Sequence, residues 1–323
     1  MPTATQHRRV TAVSDGVHPS ADELIGLRLV ARDLPLLQRQ ASSRVLAGGH
    51  RSAFRGRGMD YLESRGYQPG DDIRTMDWRV TARAGHPHTK VYQEERERPV
   101  VVMVDVGPGM FFATRGAFKS IIAARAAALI AWATVLNGDR IGALLYNGRH
   151  REIRPTGGPR GALRLIRDLV QATDPTSAAG HVPDASAFSR ALVRLRRIAR
   201  PGSLIVLVSD FYTLPADSRQ HLQRLRAHND VLACQILDPL EREAPPPGRY
   251  PVRYGQQTGQ LDTRSAARRQ AWTAHFAERR QVVETLMQQT AIPLLRLTTT
   301  DDVSRALRQA LQTAATATRE HAA

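Results

Sequence analysis

Cysteine and lysine are almost missing from this sequence. Cys234 is the one cysteine in 323 residues, so no intrachain disulfide can form and a reducing, cytoplasmic location is expected. Cys234 lies in the apolar run DVLACQIL, where a buried inert thiol is expected rather than a nucleophile. Lys90 and Lys119 are the only lysines, so arginine carries nearly all of the formal +16 charge. No apolar run approaches the ~18 residues that span a bilayer, and no membrane span is expected. The start, MPTATQHRRVTAVSDG, has no apolar stretch of the kind a secretory signal carries. Catalytic signatures are equally scarce. There is no Walker A sequence and no G-x-S-x-G. His86 and His88 are neighbours in a Gly/Pro loop, and no Cys/His cluster exists. The chain is therefore read as a non-enzyme.

What is abundant is positive charge. It suits nucleic acid, anionic lipid or an acidic partner. Many arginines recur at helical spacing, as in RALVRLRRIAR from Arg190 to Arg200, and the preferred reading there is a solvated helix face. With 42% apolar residues the chain has enough for a large core, and its length suits one large domain plus a smaller one.

Three segments are expected. Residues 1–18 are polar and expected to be disordered. Residues 19–98 form an N-terminal region. It opens with a helical pattern from Ser20 to Ala47, capped by Ser20 with Glu23, and continues as a Gly-rich, irregular stretch. Residues 99–317 alternate strands and helices. Val100 to Val104, Leu204 to Val208 and Val231 to Leu237 read as strands buried on both faces. Phe118 to Leu136 reads as a long apolar helix. Asn147-Gly148 between two short runs is a hairpin signal. The alternation predicts an α/β fold: a doubly wound, mainly parallel sheet with one antiparallel edge strand, preceded by a smaller helical/β region.

The densest local pattern is YQPGDDIRTMDWRVTAR, residues 67–83. Gly70 after Pro69 suits a left-handed turn. Asp71, Asp72, Arg74 and Asp77 alternate in sign. The preferred reading is an internal ion-pair network anchored by Trp78, and the alternative is a docking surface. This pattern, with the strand PVVVMVDVGPGM ending at Asp105, resembles the signature of the bacterial domain of unknown function 58 family. The matching positions are Tyr67, Pro69, Gly70, Asp71, Asp72, Arg74, Asp77, Trp78, Thr81 and Arg83. That family joins the motif to a domain resembling von Willebrand factor type A. The resemblance implies a partner, the MoxR type of AAA+ ATPase, and a chaperone-like role in maturing or activating client proteins. The chain would be the adaptor, with ATP chemistry left to the partner. Nucleic-acid binding through the basic surface is the alternative, and a metal-dependent hydrolase ranks last.

Asp105 and Asp210 end two strands, where open α/β sheets bind ligands. They resemble the outer acids of a metal-ion-dependent adhesion site, with Thr156 as the candidate threonine. The two serine positions of that pattern hold Gly107 and Gly109 instead. Mg²⁺ wants near-octahedral oxygen ligation, so no bound metal or other cofactor is expected. The expectation is that Asp105, Thr156 and Asp210 meet at one sheet edge. Asp105 would accept hydrogen bonds from the following Gly-Pro-Gly turn, or the glycines would open a groove for a partner's backbone.

Overall fold

A computed structural model of the chain describes residues 15–34, 59–94, 97–147, 149–178, 184–254 and 257–320. Two compact units result. Residues Met1–Gln38 and Arg98–Ala323 make the larger one, and Arg39–Glu97 the smaller.

The larger unit opens with α1 (Ala21–Gly26) and α2 (Arg28–Ala31). Ser20 Oγ accepts from Glu23 N at 3.3 Å, so the expected cap is in place. The expected continuous helix breaks at Leu27, and residues 35–47 lie outside the described residues.

The smaller unit contains β1 (Met59–Gly66), α3 (Trp78–Ala84) and β2 (His88–Glu94). Its two strands pair antiparallel, with an irregularity between Tyr61 and Glu63. Between β1 and α3 the chain makes a turn in which Asp71 N donates to Gln68 O at 3.0 Å. Gly70 sits there at φ 105°, the left-handed conformation its place after Pro69 predicts.

The chain then builds a six-stranded sheet. In order come β3 (Pro99–Asp105), α4 (Lys119–Leu136), β4 (Arg140–Tyr146), β5 (His150–Gly157) and α5 (Gly158–Thr173). After α6 (Pro175–Ala178) and α7 (Ala187–Ile198) follow β6 (Leu204–Ser209), α8 (Ser218–Arg226) and β7 (Asp230–Leu237). A separate hairpin, β8 (Arg249–Tyr254) and β9 (Gln257–Asp262), precedes α9 (Ala266–Gln289). The last elements are β10 (Leu294–Thr298) and α10 (Val303–Glu320). The sheet order is β10-β7-β6-β3-β4-β5. All neighbours run parallel except β4 and β5, the antiparallel edge that the Asn147-Gly148 signal predicts.

Alternation along β3 explains why its apolar run is continuous. Val100, Val102 and Val104 enter the core that holds α4, α5 and α10, while Val101 and Met103 enter the core on the other face with α7 and α8. A strand covered on both faces gains from an apolar side chain at nearly every position. Helix α4 is long and apolar enough to cross a membrane, but 83% of it is buried inside this protein. α7 keeps Ala191, Leu192 and Leu195 inward, and its arginines line the opposite, solvated face. Burial pushes the Cys234 thiol up to about 12, which leaves it protonated and inert.

One expected boundary moves. Residues 19–34 group with the sheet and not with the motif-bearing segment. Leu24, Ala31 and Leu34 are buried in the core that holds α4. The Trp132 indole donates to Leu24 O at 3.0 Å, and Arg125 Nε pairs with Glu23 Oε1 at 2.7 Å. Residues 15–18 are also ordered by contact, since Phe118 N donates to Gly16 O at 2.8 Å. The expected disorder of residues 1–14 lies outside the described residues.

Candidate functional site

The sheet order reverses between β3 and β6. From β3 the chain winds outward through β4 to β5, then returns to the other flank of β3 and winds outward through β6 and β7. Strand ends splay apart at such a switch point and leave a crevice. A small, solvent-open recess of about 80 Å³ lies there, lined by Asp105, Gly107, Gly109, Tyr146, Asp210 and Tyr212 among others.

Asp105 forms part of its floor. Its Oδ1 accepts from Gly107 N at 2.8 Å and its Oδ2 from Ser209 Oγ at 2.7 Å. Ser209 Oγ in turn accepts from Phe211 N at 3.0 Å. Burial pushes the Asp105 carboxyl up to about 6, and the nearby Asp210 charge adds to the rise. Tyr146, whose Oη is 3.5 Å from Ser209 Oγ, is pushed up chiefly by the same burial.

Asp210 is held differently. Its Oδ1 accepts from Tyr212 N at 2.9 Å, and its Oδ2 lies 2.8 Å from Lys119 Nζ. Lys119 Nζ also reaches Glu241 Oε1 at 2.7 Å, and its side chain is only 3% exposed. Burial pulls the ammonium down, but the Asp210 and Glu241 charges outweigh it and the net shift is upward. Glu241 is raised by its own burial, against the pull of Lys119. Glu241 also closes a reciprocal cap with Asp238, whose carboxylate accepts from Thr114 and Thr299. The chain following β6 passes through Phe211 at φ 51°, an unusual conformation for a non-glycine residue. Phe211 is buried edge-on against Phe188 at 5.8 Å, and the turn leaves Tyr212 at the cavity mouth.

The two predicted acids therefore meet, but Thr156 does not join them. Asp105 is level with Tyr146 at the carboxyl end of the parallel strands, whereas Thr156 pairs with Ile141 near the other end. β5 runs antiparallel, so its last residues return to the opposite edge, and the Thr156 hydroxyl bonds Arg154 O. The segment before α7 instead brings Asp184 to the cavity, already paired with Arg190.

A divalent ion does not fit this set. Gly107 and Gly109 offer no side-chain oxygens, and their missing side chains leave no room to spare. A Cβ at Gly107 would come within 3.0 Å of Asp105 Oδ1, and one at Gly109 within 3.4 Å of Asp210 Oδ2. A buried ammonium already neutralises Asp210. Among the described residues no three His, Cys, Asp or Glu side chains converge as metal ligands.

Lys119, Ser209 and Glu241 escaped sequence reasoning. Two signals were available: Lys119 is one of two lysines in an arginine-rich chain, and Asp238 with Glu241 has capping-box spacing.

The motif in the smaller unit corrects its expected role. Asp72 and Asp77 bind backbone rather than arginines, and only Asp71 meets a guanidinium. Asp72 Oδ1 accepts from Arg74 N at 2.9 Å. Asp77 caps α3 through Arg79 N and Val80 N and takes Ser64 Oγ at 2.8 Å. Asp71 pairs with Arg65, outside the expected set, at 2.7 Å. Tyr67 Oη reaches Asp71 O at 3.4 Å, and Thr81 Oγ1 accepts from His88 N at 3.0 Å. The Arg74 and Arg83 side chains are exposed. Trp78 is no anchor: it is 67% exposed, with Ile73 at 62%. Arg74→Ala should accordingly melt within about 0.5 kcal/mol of wild type. Asp77→Ala should melt measurably lower, because it removes a helix cap. Thermal denaturation of both variants checks the contrast, and equal losses would restore the network reading.

Residues 63–282 match the family described as "Protein of unknown function DUF58". Uncharacterised proteins of Mycobacterium tuberculosis and Mycobacterium bovis are 36% identical over 223 residues, covering 69% of this chain and 68% of each relative. Among solved structures, the conserved hypothetical protein BatB from Bacteroides thetaiotaomicron aligns with a TM-score of 0.44 at 13% identity. It covers 68% of this chain and 99% of that one. A von Willebrand factor type A structure from Catenulispora acidiphila aligns at 0.36 and 10% identity, covering 71% and 43%. The sheet is mainly parallel, with strand-end acids at its switch point and one antiparallel edge. The chain belongs to the DUF58 family.

Proposed function

We propose that the chain is a non-enzymatic, cytoplasmic adaptor that docks a MoxR-type AAA+ ATPase at the strand-end cavity and helps it mature or activate client proteins. The observation that carries this reading is the cavity's charge. In a chain of net +16, its walls bring together Asp105 and Asp210, with Glu241 behind them against the single Lys119 ammonium. An acidic recess in a basic surface favours a partner's arginine or lysine and fixes its register. Exposed Tyr212 at the mouth supplies apolar area of the kind that anchors interfaces. Both carboxylates are already hydrogen-bonded within the chain, so docking would add to a prearranged recess without reorganising it.

Binding of the cognate ATPase to wild type, Asp105→Ala and Tyr212→Ala tests this. The expected result is a loss of roughly tenfold or more in each variant, the scale of a central contact, with EDTA having no effect. If both variants bind as wild type does, the cavity is not the interface.

A second reading has one observation in its favour. Arg249, Arg264 and Arg268 converge on the single carboxylate of Asp262, which leaves a local positive excess beside the exposed start of α9. Nucleic-acid binding there would fall steeply with salt. Retention on random DNA that survives physiological salt would favour it over the adaptor.

A further inference from the structure

We infer that the Lys119 ammonium is the permanent cation of the strand-end site, filling the role that a divalent ion would otherwise have there and excluding one. The inference goes beyond the adaptor reading and holds whichever partner docks.

Three elements meet at this one nitrogen. Lys119 is the first residue of α4, Asp210 follows β6, and Glu241 follows β7. The ammonium lies 2.8 Å from the first carboxylate and 2.7 Å from the second, almost sealed from solvent. A divalent ion held by two carboxylates would join acids from separate loops in the same way. Here a side chain of the protein does it, with no metal to lose.

The residue type is informative. Apart from Lys90, every other side chain of this chain that is cationic at neutral pH in the formal count is an arginine. A planar guanidinium presents its donors as a fork, whereas an ammonium is a compact point charge with three donors. A narrow gap between two carboxylates from different elements suits the second. Phe112 lies 5.9 Å from the same nitrogen and closes one side.

The surroundings exclude a metal ion from the Asp210–Glu241 gap that the ammonium fills. An ion there would meet the ammonium at short range in a poorly solvated gap, where like charges repel strongly, whereas the Asp105 side of the recess stays open to a partner. Gly107 and Gly109 supply no side-chain oxygen to offset that repulsion. Asp238 also fits the picture. Its carboxylate accepts from Thr114 and Thr299 hydroxyls at 2.6 and 2.9 Å, so the Glu241 arm is braced from behind.

The experiment titrates the full chain with Mn²⁺ and Mg²⁺, by calorimetry and by thermal shift, in wild type and Lys119→Met. Wild type should show no saturable uptake at millimolar ion, and its melting temperature should not move. Lys119→Met should melt lower and take up about one Mn²⁺ between Asp210 and Glu241, the one or two carboxylates such ions commonly use. Mn²⁺ should raise its melting temperature or its refolding yield. Lys119→Arg should not reproduce wild-type stability. Saturable uptake by wild type that is lost in Asp210→Ala overturns the inference. So does a folded Lys119→Met chain that ignores Mn²⁺. If Lys119→Met folds in neither condition, the wild-type titration decides: uptake overturns the inference and its absence upholds it.

Discussion

Lys119→Met should melt far below wild type. Methionine keeps the length and packing of the lysine stem, so the substitution removes little but the charge. That charge lies between Asp210 and Glu241 in a recess that water barely reaches. Removing one partner of a buried ion pair typically costs about 3–5 kcal/mol, because the remaining charge stays desolvated and unpaired. Here two carboxylates lose the same partner and face each other, which places the loss at the upper end. For a domain of this size the melting temperature should fall by on the order of 10 °C. Glu241→Gln should cost less, since Lys119 then keeps Asp210. Urea titrations should show a lower midpoint with an unchanged slope, as expected when the native fold is weakened but not expanded. A Lys119→Met midpoint equal to that of wild type would mean that the ammonium holds nothing together.

The second large effect runs the other way. Asp105→Asn should stabilise the protein at neutral pH. In the folded chain Asp105 keeps its proton up to about pH 6, against 3.8 for an ordinary aspartate. Between those values the native state holds the extra proton, so wild-type stability falls as pH rises through the interval. Above pH 6 the buried charge is a standing cost of up to about 3 kcal/mol, at 1.36 kcal/mol per unit. Asparagine can still accept from Gly107 N, and its amide can donate to Ser209 Oγ after the hydroxyl rotates. The variant should therefore unfold later than wild type at pH 7.5 and together with it near pH 4. An Asn variant less stable than wild type at every pH would mean that the charged carboxylate, not the acid, is the form this site stabilises.

Much of this was legible in the sequence, for identifiable reasons. A parallel strand covered on both faces is nearly continuously apolar, so Val100 to Val104 and Leu204 to Val208 could be read directly. A turn at Asn147 announces itself by residue type, as does the left-handed turn at Gly70. The acids at Asp105 and Asp210 follow from strand ends alone. What stayed hidden depends on register and on contacts far apart in sequence. Thr156 was placed by its position after a hairpin, but the direction of β5 carries it to the wrong edge. Lys119 and Glu241 are separated by 122 residues, and no local pattern joins them. In the motif, alternating charge suggested ion pairs. Short aspartate side chains instead serve backbone N–H groups within three residues, which the capping preference of aspartate explains better than charge does.

The path of the chain through its two units has a practical meaning for anyone who dissects it. Residues 39–97 leave and re-enter one body, so the motif-bearing unit is an insertion. A fragment starting at residue 98 would look like a complete domain on paper and would lack part of its own core. Leu24, Ala31 and Leu34 would be gone, and the Trp132 indole would lose its acceptor at Leu24. The reverse cut is the gentler one. Closing a chain across an insertion costs only about 0.6 kcal/mol more for each doubling of its length. A change in the length of the inserted unit should therefore cost the sheet little. The helices before it have no such freedom, because they are already inside.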